Sequence, residues 1–231
     1  MKIEILFPEF CNLYGDMFNM KYLKKCIPDA EFIETALEEE PAFVKENVNL
    51  IYLGPMTEKT QEKVISKLLP YKTRIIELID KNVVFLFTGN ALEVLGNYIE
   101  NEDGTKIDGL GIFDVYAKRD MFHRHNSFLI GKYEDIEIIG FKSQFTMLYG
   151  NNTDMTFVEV EKGIGINKES KLEGIKKNNF IGTYLIGPLL ILNPLFTKKI
   201  LEMLGLNNEV ALKEDTMAAY EARIKELRKL G

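Results

Sequence analysis

Val83-Val-Phe-Leu-Phe87, closed by Thr88-Gly-Asn90, constrains this chain more than any other stretch. An unbroken apolar run bounded by turn residues describes a strand buried on both faces. Such a strand has to lie inside a covered sheet, and a parallel sheet flanked by helices provides the cover. The surrounding segments fit that plan. Lys2–Phe7 predicts a first strand and Pro8–Gly15 a loop. Asp16 stands where it can cap a helix from about Met17 to Cys26, which Pro28 stops. Glu31–Glu34 predicts a short edge strand and Leu50–Leu53 a compact apolar one. Thr57 can cap a helical stretch reaching about Asp80, with Pro70 breaking or kinking it. Ala91–Tyr98 predicts a helix. The alternation gives an α/β fold with a mainly parallel central sheet and helices on both sides.

The middle of the chain changes character. Leu110–Val160 predicts strands and turns, with Asn101–Gly104 and Tyr149–Asn152 as turn signals. The sheet resumes at Phe180–Leu185, and helices follow at about Pro194–Leu204 and Glu209–Leu230. In the last helix Met217, Tyr220, Ile224 and Leu227 share a face. No repeat or flexible linker interrupts the 231 residues, which predicts a single domain over 1–231 ending in that helix.

Charge narrows the partners. A formal charge of −6 argues against nucleic acid, and Lys118-Arg119 with Arg124 is too small a basic cluster to reverse that. No run of about 18 apolar residues predicts a membrane span. The N-terminus reads as a strand rather than a signal peptide, so a cytoplasmic location is expected, with Cys11 and Cys26 as reduced thiols. The two histidines, His123 and His125, form a His-x-His with no further cysteine or histidine to complete a metal site. The segment reads as a solvated loop, and neither metal nor cofactor is expected.

Two motifs carry a family resemblance. Gly182-Thr-Tyr-Leu-Ile-Gly-Pro188 resembles the catalytic-histidine strand of class I glutamine amidotransferases of the cobyric-acid-synthase type, which looks like Gly-Thr-Tyr-Leu-His-Gly-Pro. Val84–Gly96 resembles that family's nucleophile elbow, Ile-Cys-Gly-Gly-Tyr-Gln-x-Leu-Gly. The resemblance implies a three-layer, flavodoxin-like fold. It also implies release of ammonia from glutamine, which takes a thiolate, a histidine base and oxyanion donors.

The matching positions lack those groups. Anchored on Leu95-Gly96, the cysteine position falls on Gly89, and the histidine position falls on Ile186. The oxyanion positions are Gly54, Pro55 and Asn90. Pro55 has no N–H to donate, and losing one such donor costs about 10²–10³ in rate. Gly54 and Met56 remain as possible donors. Thr88 and Glu93 are the candidate substitute groups, and Cys11 reads as a small buried hydrophobe.

The resemblance narrows further, to the glutaminase subunit of lipid II isoglutaminyl synthase. Asn12-Leu-Tyr-Gly-Asp16 and Asp103-Gly-Thr…Gly109-Leu-Gly-Ile112 are similar to its motifs, and Ile139-Gly-Phe-Lys-Ser-Gln144 lies where it has Val-Gly-Phe-Glu-Asn-His. An arginine that helps hold glutamine falls near Phe128, with Arg124 close by. Asn12, Tyr14 and Asp16 suit either a functional loop or plain turn chemistry, and Asn151-Asn152 reads as a turn. By this resemblance the partner is a Mur-ligase-like protein that activates D-glutamate of the peptidoglycan stem. The expected function is that of a degenerate amidotransferase acting as a binding or regulatory subunit. The alternatives are an active glutaminase with a displaced nucleophile, and a binder of glutamine, another small molecule or a cell-wall fragment.

Overall fold

Every residue of Leu50–Leu53 and Val84–Thr88 is buried, and the two segments pair in parallel at the centre of a six-stranded sheet. The computed structural model describes residues 1–230. In chain order the early elements are β1 (Lys2–Leu6), α1 (Phe18–Cys26), β2 (Glu31–Thr35), β3 (Leu50–Leu53), α2 (Glu58–Leu68), α3 (Lys72–Asp80) and β4 (Val84–Thr88). A middle block follows: β5 (Tyr98–Glu100), β6 (Lys106–Asp108), β7 (Val115–Arg119), β8 (His125–Tyr133), β9 (Ile136–Gln144), β10 (Thr146–Gly150), β11 (Val158–Lys162) and β12 (Leu172–Glu173). The chain then returns through β13 (Ile175–Lys177), β14 (Phe180–Thr183), α4 (Leu189–Leu192), α5 (Pro194–Met203) and α6 (Lys213–Lys229).

The central sheet runs β13-β14-β4-β3-β1-β2, parallel except for β13 at one edge. Read from β2, the parallel strands follow the 2-1-3-4-5 order of flavodoxin-like folds. In such sheets the crevice beyond the carboxyl ends of the strands is the ligand position. The middle block builds two further sheets, β10-β7-β5-β6 and β12-β11-β8-β9. Helices cover both faces as expected, but only partly. One core joins Ile51, Phe85 and Phe87 to α2, α3 and to Ile99, Val115 and Leu148 of the first added sheet. The other joins Ile3, Tyr52 and Leu86 to α1, α5 and to Leu129, Ile138 and Val160 of the second.

Three expectations need correction. Ala91–Tyr98 is not an α-helix: Gly89–Leu95 forms 3-10 turns and Tyr98 begins β5. The carbonyls of Val94, Leu95 and Gly96 accept from the backbone N–H groups of Leu110, Ile112, Phe113 and Gly111, which ties this segment to the loop before β7. Asp16 does not cap α1, because its carboxylate turns inward to Tyr52, Thr88 and Gly187. The final helix starts at Lys213 rather than Glu209, after Leu212 takes a left-handed φ of 54°. As expected, Pro70 divides α2 from α3, Thr57 caps α2 by accepting from Thr60 N–H at 3.3 Å, and Tyr220 and Ile224 of α6 are buried. These two pack on Ile130 and Ile139 of the β8–β9 hairpin, so α6 closes its own fold. Among the described residues, no helix is long and apolar enough to cross a membrane.

Candidate functional site

Four loops meet at the carboxyl ends of the central strands: Phe7–Asp16 after β1, Gly54–Thr57 after β3, Gly89–Asn90 after β4 and Tyr184–Gly187 after β14. Gly89 takes φ +59°, the left-handed backbone of a tight strand-to-helix turn, which only glycine adopts without strain. A Cβ placed on it would lie 2.6 Å from Pro55 Cβ and 3.1 Å from Ile186 Cγ2. The three positions that the sequence pairs with nucleophile, oxyanion loop and base therefore touch one point in space. Proline and isoleucine fill the volume that a side chain at position 89 would occupy.

On the oxyanion side, one candidate donor is engaged within the protein. Asn90 Nδ2 donates to the Met56 carbonyl at 2.9 Å, and Met56 N–H donates to Asn90 Oδ1 at 3.0 Å. Met56, a remaining candidate donor, thus spends its N–H inside the protein. Gly54 is packed against the Cys11 carbonyl, which leaves no room for a Cβ. Ile186 is buried and its N–H bonds the Phe141 carbonyl at 2.9 Å. The cavity left between these loops measures about 120 Å³ and is lined by Tyr14, Gly89, Asn90, Gln144 and Ile186 among others. Ligand pockets generally hold about 300–1,000 Å³.

The substitute groups are committed elsewhere. Thr88 is buried and its hydroxyl donates to the Asp16 carboxylate. That carboxylate also accepts from Tyr52 OH at 2.5 Å and Gly187 N–H at 2.8 Å. Glu93 is buried and accepts from Gln61 Nε2 at 2.8 Å, Tyr184 OH at 2.9 Å and the Thr146 hydroxyl. Gln61 in turn accepts from Arg119 at 2.9 Å. Cys11 is buried, and burial, with Glu9 adding to it, pushes its thiol up to about 12. It is a neutral thiol at pH 7, packed on Met56 with 3.8 Å between the sulfurs.

The remaining sequence candidates divide. Asn12 donates to the Pro8 carbonyl at 2.5 Å, a turn contact, whereas Tyr14 is exposed and lines the cleft. Phe128 lies outside the cleft with Lys162 over its ring, and Arg124 lines the cleft over Phe145. Asn152 is more than a turn residue, since its buried amide donates to the Gly174 carbonyl at 2.9 Å. His123 is exposed and bonds Asp120, while His125 opens β8 and is half-buried, so only the first belongs to a solvated loop. No group of three or more His, Cys, Asp or Glu side chains among the described residues is placed to hold a metal. Gln144 went unnoticed as a site residue: it is 7% exposed, lines the cleft, and its Oε1 is buried without a partner. Its place opposite a histidine in the related motif was the available signal.

Asp16 and Glu93 share an electrostatic property. Burial, foremost, raises both carboxyls above their ordinary values despite the hydrogen bonds that oppose it. A raised folded-state pKa means that the native state holds more protons than the unfolded chain above the ordinary glutamate value of about 4.3. Their stabilisation is therefore complete below that value and is lost as pH rises through the folded pKa. We expect Glu93→Gln, which stays neutral, to flatten the fall of melting temperature above that pH. Parallel wild-type and variant profiles would show that Glu93 titrates normally.

This is the layout of a glutamine amidotransferase fold. Residues 2–193 match the CobB/CobQ-like glutamine amidotransferase domain, and the chain belongs to that family. Among curated proteins it is similar to the GatD subunit of lipid II isoglutaminyl synthase (glutamine-hydrolyzing) from Staphylococcus aureus (strain N315). That protein is 28% identical over 193 residues, covering 83% of this chain and 79% of the relative. The subunit of the same name from Streptococcus pneumoniae (strain ATCC BAA-255 / R6) is 24% identical, covering 84% and 76%. Among solved structures, PurLQS from Thermotoga maritima superposes with a TM-score of 0.58 at 10% identity, over 88% of this chain and 96% of that one. A glutamine amidotransferase superposes equally well, at 12% identity over 88% and 100%. Likenesses at that identity speak for the fold.

Proposed function

We propose that this chain is an amidotransferase-fold subunit that does not hydrolyse glutamine and serves as the binding or regulatory partner of a Mur-ligase-like protein in peptidoglycan precursor amidation. The observation that carries the reading is the interlock at Gly89. A cysteine Cβ there would meet Pro55 at 2.6 Å, and the neighbour in the base position is Ile186. Nucleophile, base and loop are altered together, in a mutually packed way. The alternative of a displaced nucleophile finds little support, because Thr88, Glu93 and Cys11 are buried and bonded or packed within the fold. A partner is supported by the relatives, which are subunits of lipid II isoglutaminyl synthase.

An amidation assay tests this. The chain is combined with a Mur-ligase-like partner, ATP and a D-glutamate-bearing lipid precursor. The nitrogen source is either ammonium or glutamine. The expected outcome is a stable complex that amidates with ammonium and not with glutamine. Amidation supported by glutamine would overturn the reading.

A further inference from the structure

A second cavity, larger than the closed cleft, lies beside it. It holds about 280 Å³ and is lined by Lys118, Arg124, His125, Phe145 and Lys168 among others. Arg124, Phe145 and Thr146 border both cavities, so the two are neighbours across one wall. The lining is cationic in a chain whose formal charge is −6. Its carboxylates are Asp120, which His123 Nδ1 holds at 2.9 Å, and Glu169. The Arg119 guanidinium is occupied by Gln61, Glu62 and Asn101. Lys118 meets Glu100 at 3.6 Å, and Arg124 stacks on Phe145 at 4.4 Å and meets only a hydroxyl, Tyr14 OH at 3.4 Å. No ion pair engages Arg124 or Lys168 among the described residues.

His125 supplies the second, independent observation. Its Nε2 is buried and has no hydrogen-bond partner. Buried polar atoms in folded proteins are nearly always paired, and each exception calls for an explanation such as strain, a functional role, or a water or ion. Across the β8–β9 pair His125 faces Gln144, whose Oε1 is likewise unpaired. The unpaired ring nitrogen thus accompanies two cations without carboxylate partners, in a cavity just below the usual range for small-molecule pockets.

We propose that this cavity binds a small phosphate-bearing anion, with Arg124, Lys168 and Lys118 supplying charge and the His125 ring in the cavity wall beside them. Charge-assisted donors around one concavity are the usual means of holding such a group. The proposal does not depend on whether the neighbouring cleft is catalytically silent. Burial, with Lys168 and Lys142 adding to it, lowers the pKa of His125. A bound phosphate would counter the two lysines and raise it.

The chain has two histidines, which makes the test direct. Imidazole proton resonances are followed by NMR while inorganic phosphate or pyrophosphate is added at constant ionic strength, with chloride as control. His123→Gln assigns the signals. The expected result is a saturable shift of His125 and a rise of its midpoint, with His123 moving far less. Lys168→Gln combined with Lys118→Gln should weaken binding at least about tenfold while the spectrum stays folded. No saturable shift overturns the proposal. So does a shift that chloride reproduces, or one that the double variant leaves unchanged.

Discussion

Gly89→Cys, which restores a thiol at the turn, is expected to lower the unfolding free energy by about 2–5 kcal/mol and to give no glutamine hydrolysis. Two costs add. A side chain in the left-handed region costs about 1–2 kcal/mol, and position 89 has φ +59°. Forcing atoms into a filled space costs about 1–3 kcal/mol more, and the new Cβ would lie 2.6 Å from Pro55 Cβ. Most of the second cost comes from one atom, Pro55 Cβ, since the next contact, Ile186 Cγ2, lies at 3.1 Å. Pro55→Gly removes it and should relieve Gly89→Cys by more than about 1 kcal/mol, whereas Pro55→Ala keeps a Cβ and should not. Urea unfolding of the singles and doubles measures the coupling. Additive effects in the Pro55→Gly background would mean that the two positions do not interlock.

Lys142→Met is expected to cost about 3–5 kcal/mol, the usual result of stripping one partner from a buried ion pair. Lys142 and Glu173 are fully buried and bonded to each other. Lys142 Nζ also donates to the carbonyls of Ile164 at 3.0 Å and Gly165 at 2.7 Å. Burial lowers the lysine pKa, and the glutamate opposes that shift. Glu173 Oε1 accepts from Thr183 Oγ1 at 2.9 Å and Tyr184 N–H at 2.8 Å, so the pair anchors the loop that carries Ile186. Methionine would leave the carboxylate buried without a cation. Adding Glu173→Gln keeps an acceptor for Thr183 and Tyr184 while removing the charge, and should recover most of the loss. A double variant no more stable than Lys142→Met would show that lost packing, not the orphaned charge, causes the damage.

Much of the central sheet was legible because its signals are local. The apolar run at Val84–Phe87, the cap at Thr57 and the break at Pro70 each depend on few residues. What escaped was decided at long range. Ala91–Tyr98 has a helical pattern, yet the carbonyls of Val94, Leu95 and Gly96 are taken by the Leu110–Phe113 segment and Tyr98 joins a strand, which no local reading supplies. Asp16 has the spacing of a cap, but a buried network with Thr88, Tyr52 and Gly187 captures it. At the site, motif spacing identified Gly89, Pro55 and Ile186 separately. Their mutual contact became visible only when β3, β4 and β14 were placed side by side. Gln144 had a signal in the motif comparison, whereas the His125 cavity depends on the β8–β9 pairing and lay beyond it.

Ammonia release from glutamine, measured on the intact chain alone and then with a Mur-ligase-like protein added, tests the filled-site account most directly. The account predicts background release in both states, because Pro55 and Ile186 close on a residue with no side chain. Release above background that tracks the protein concentration, with or without the partner, would contradict it.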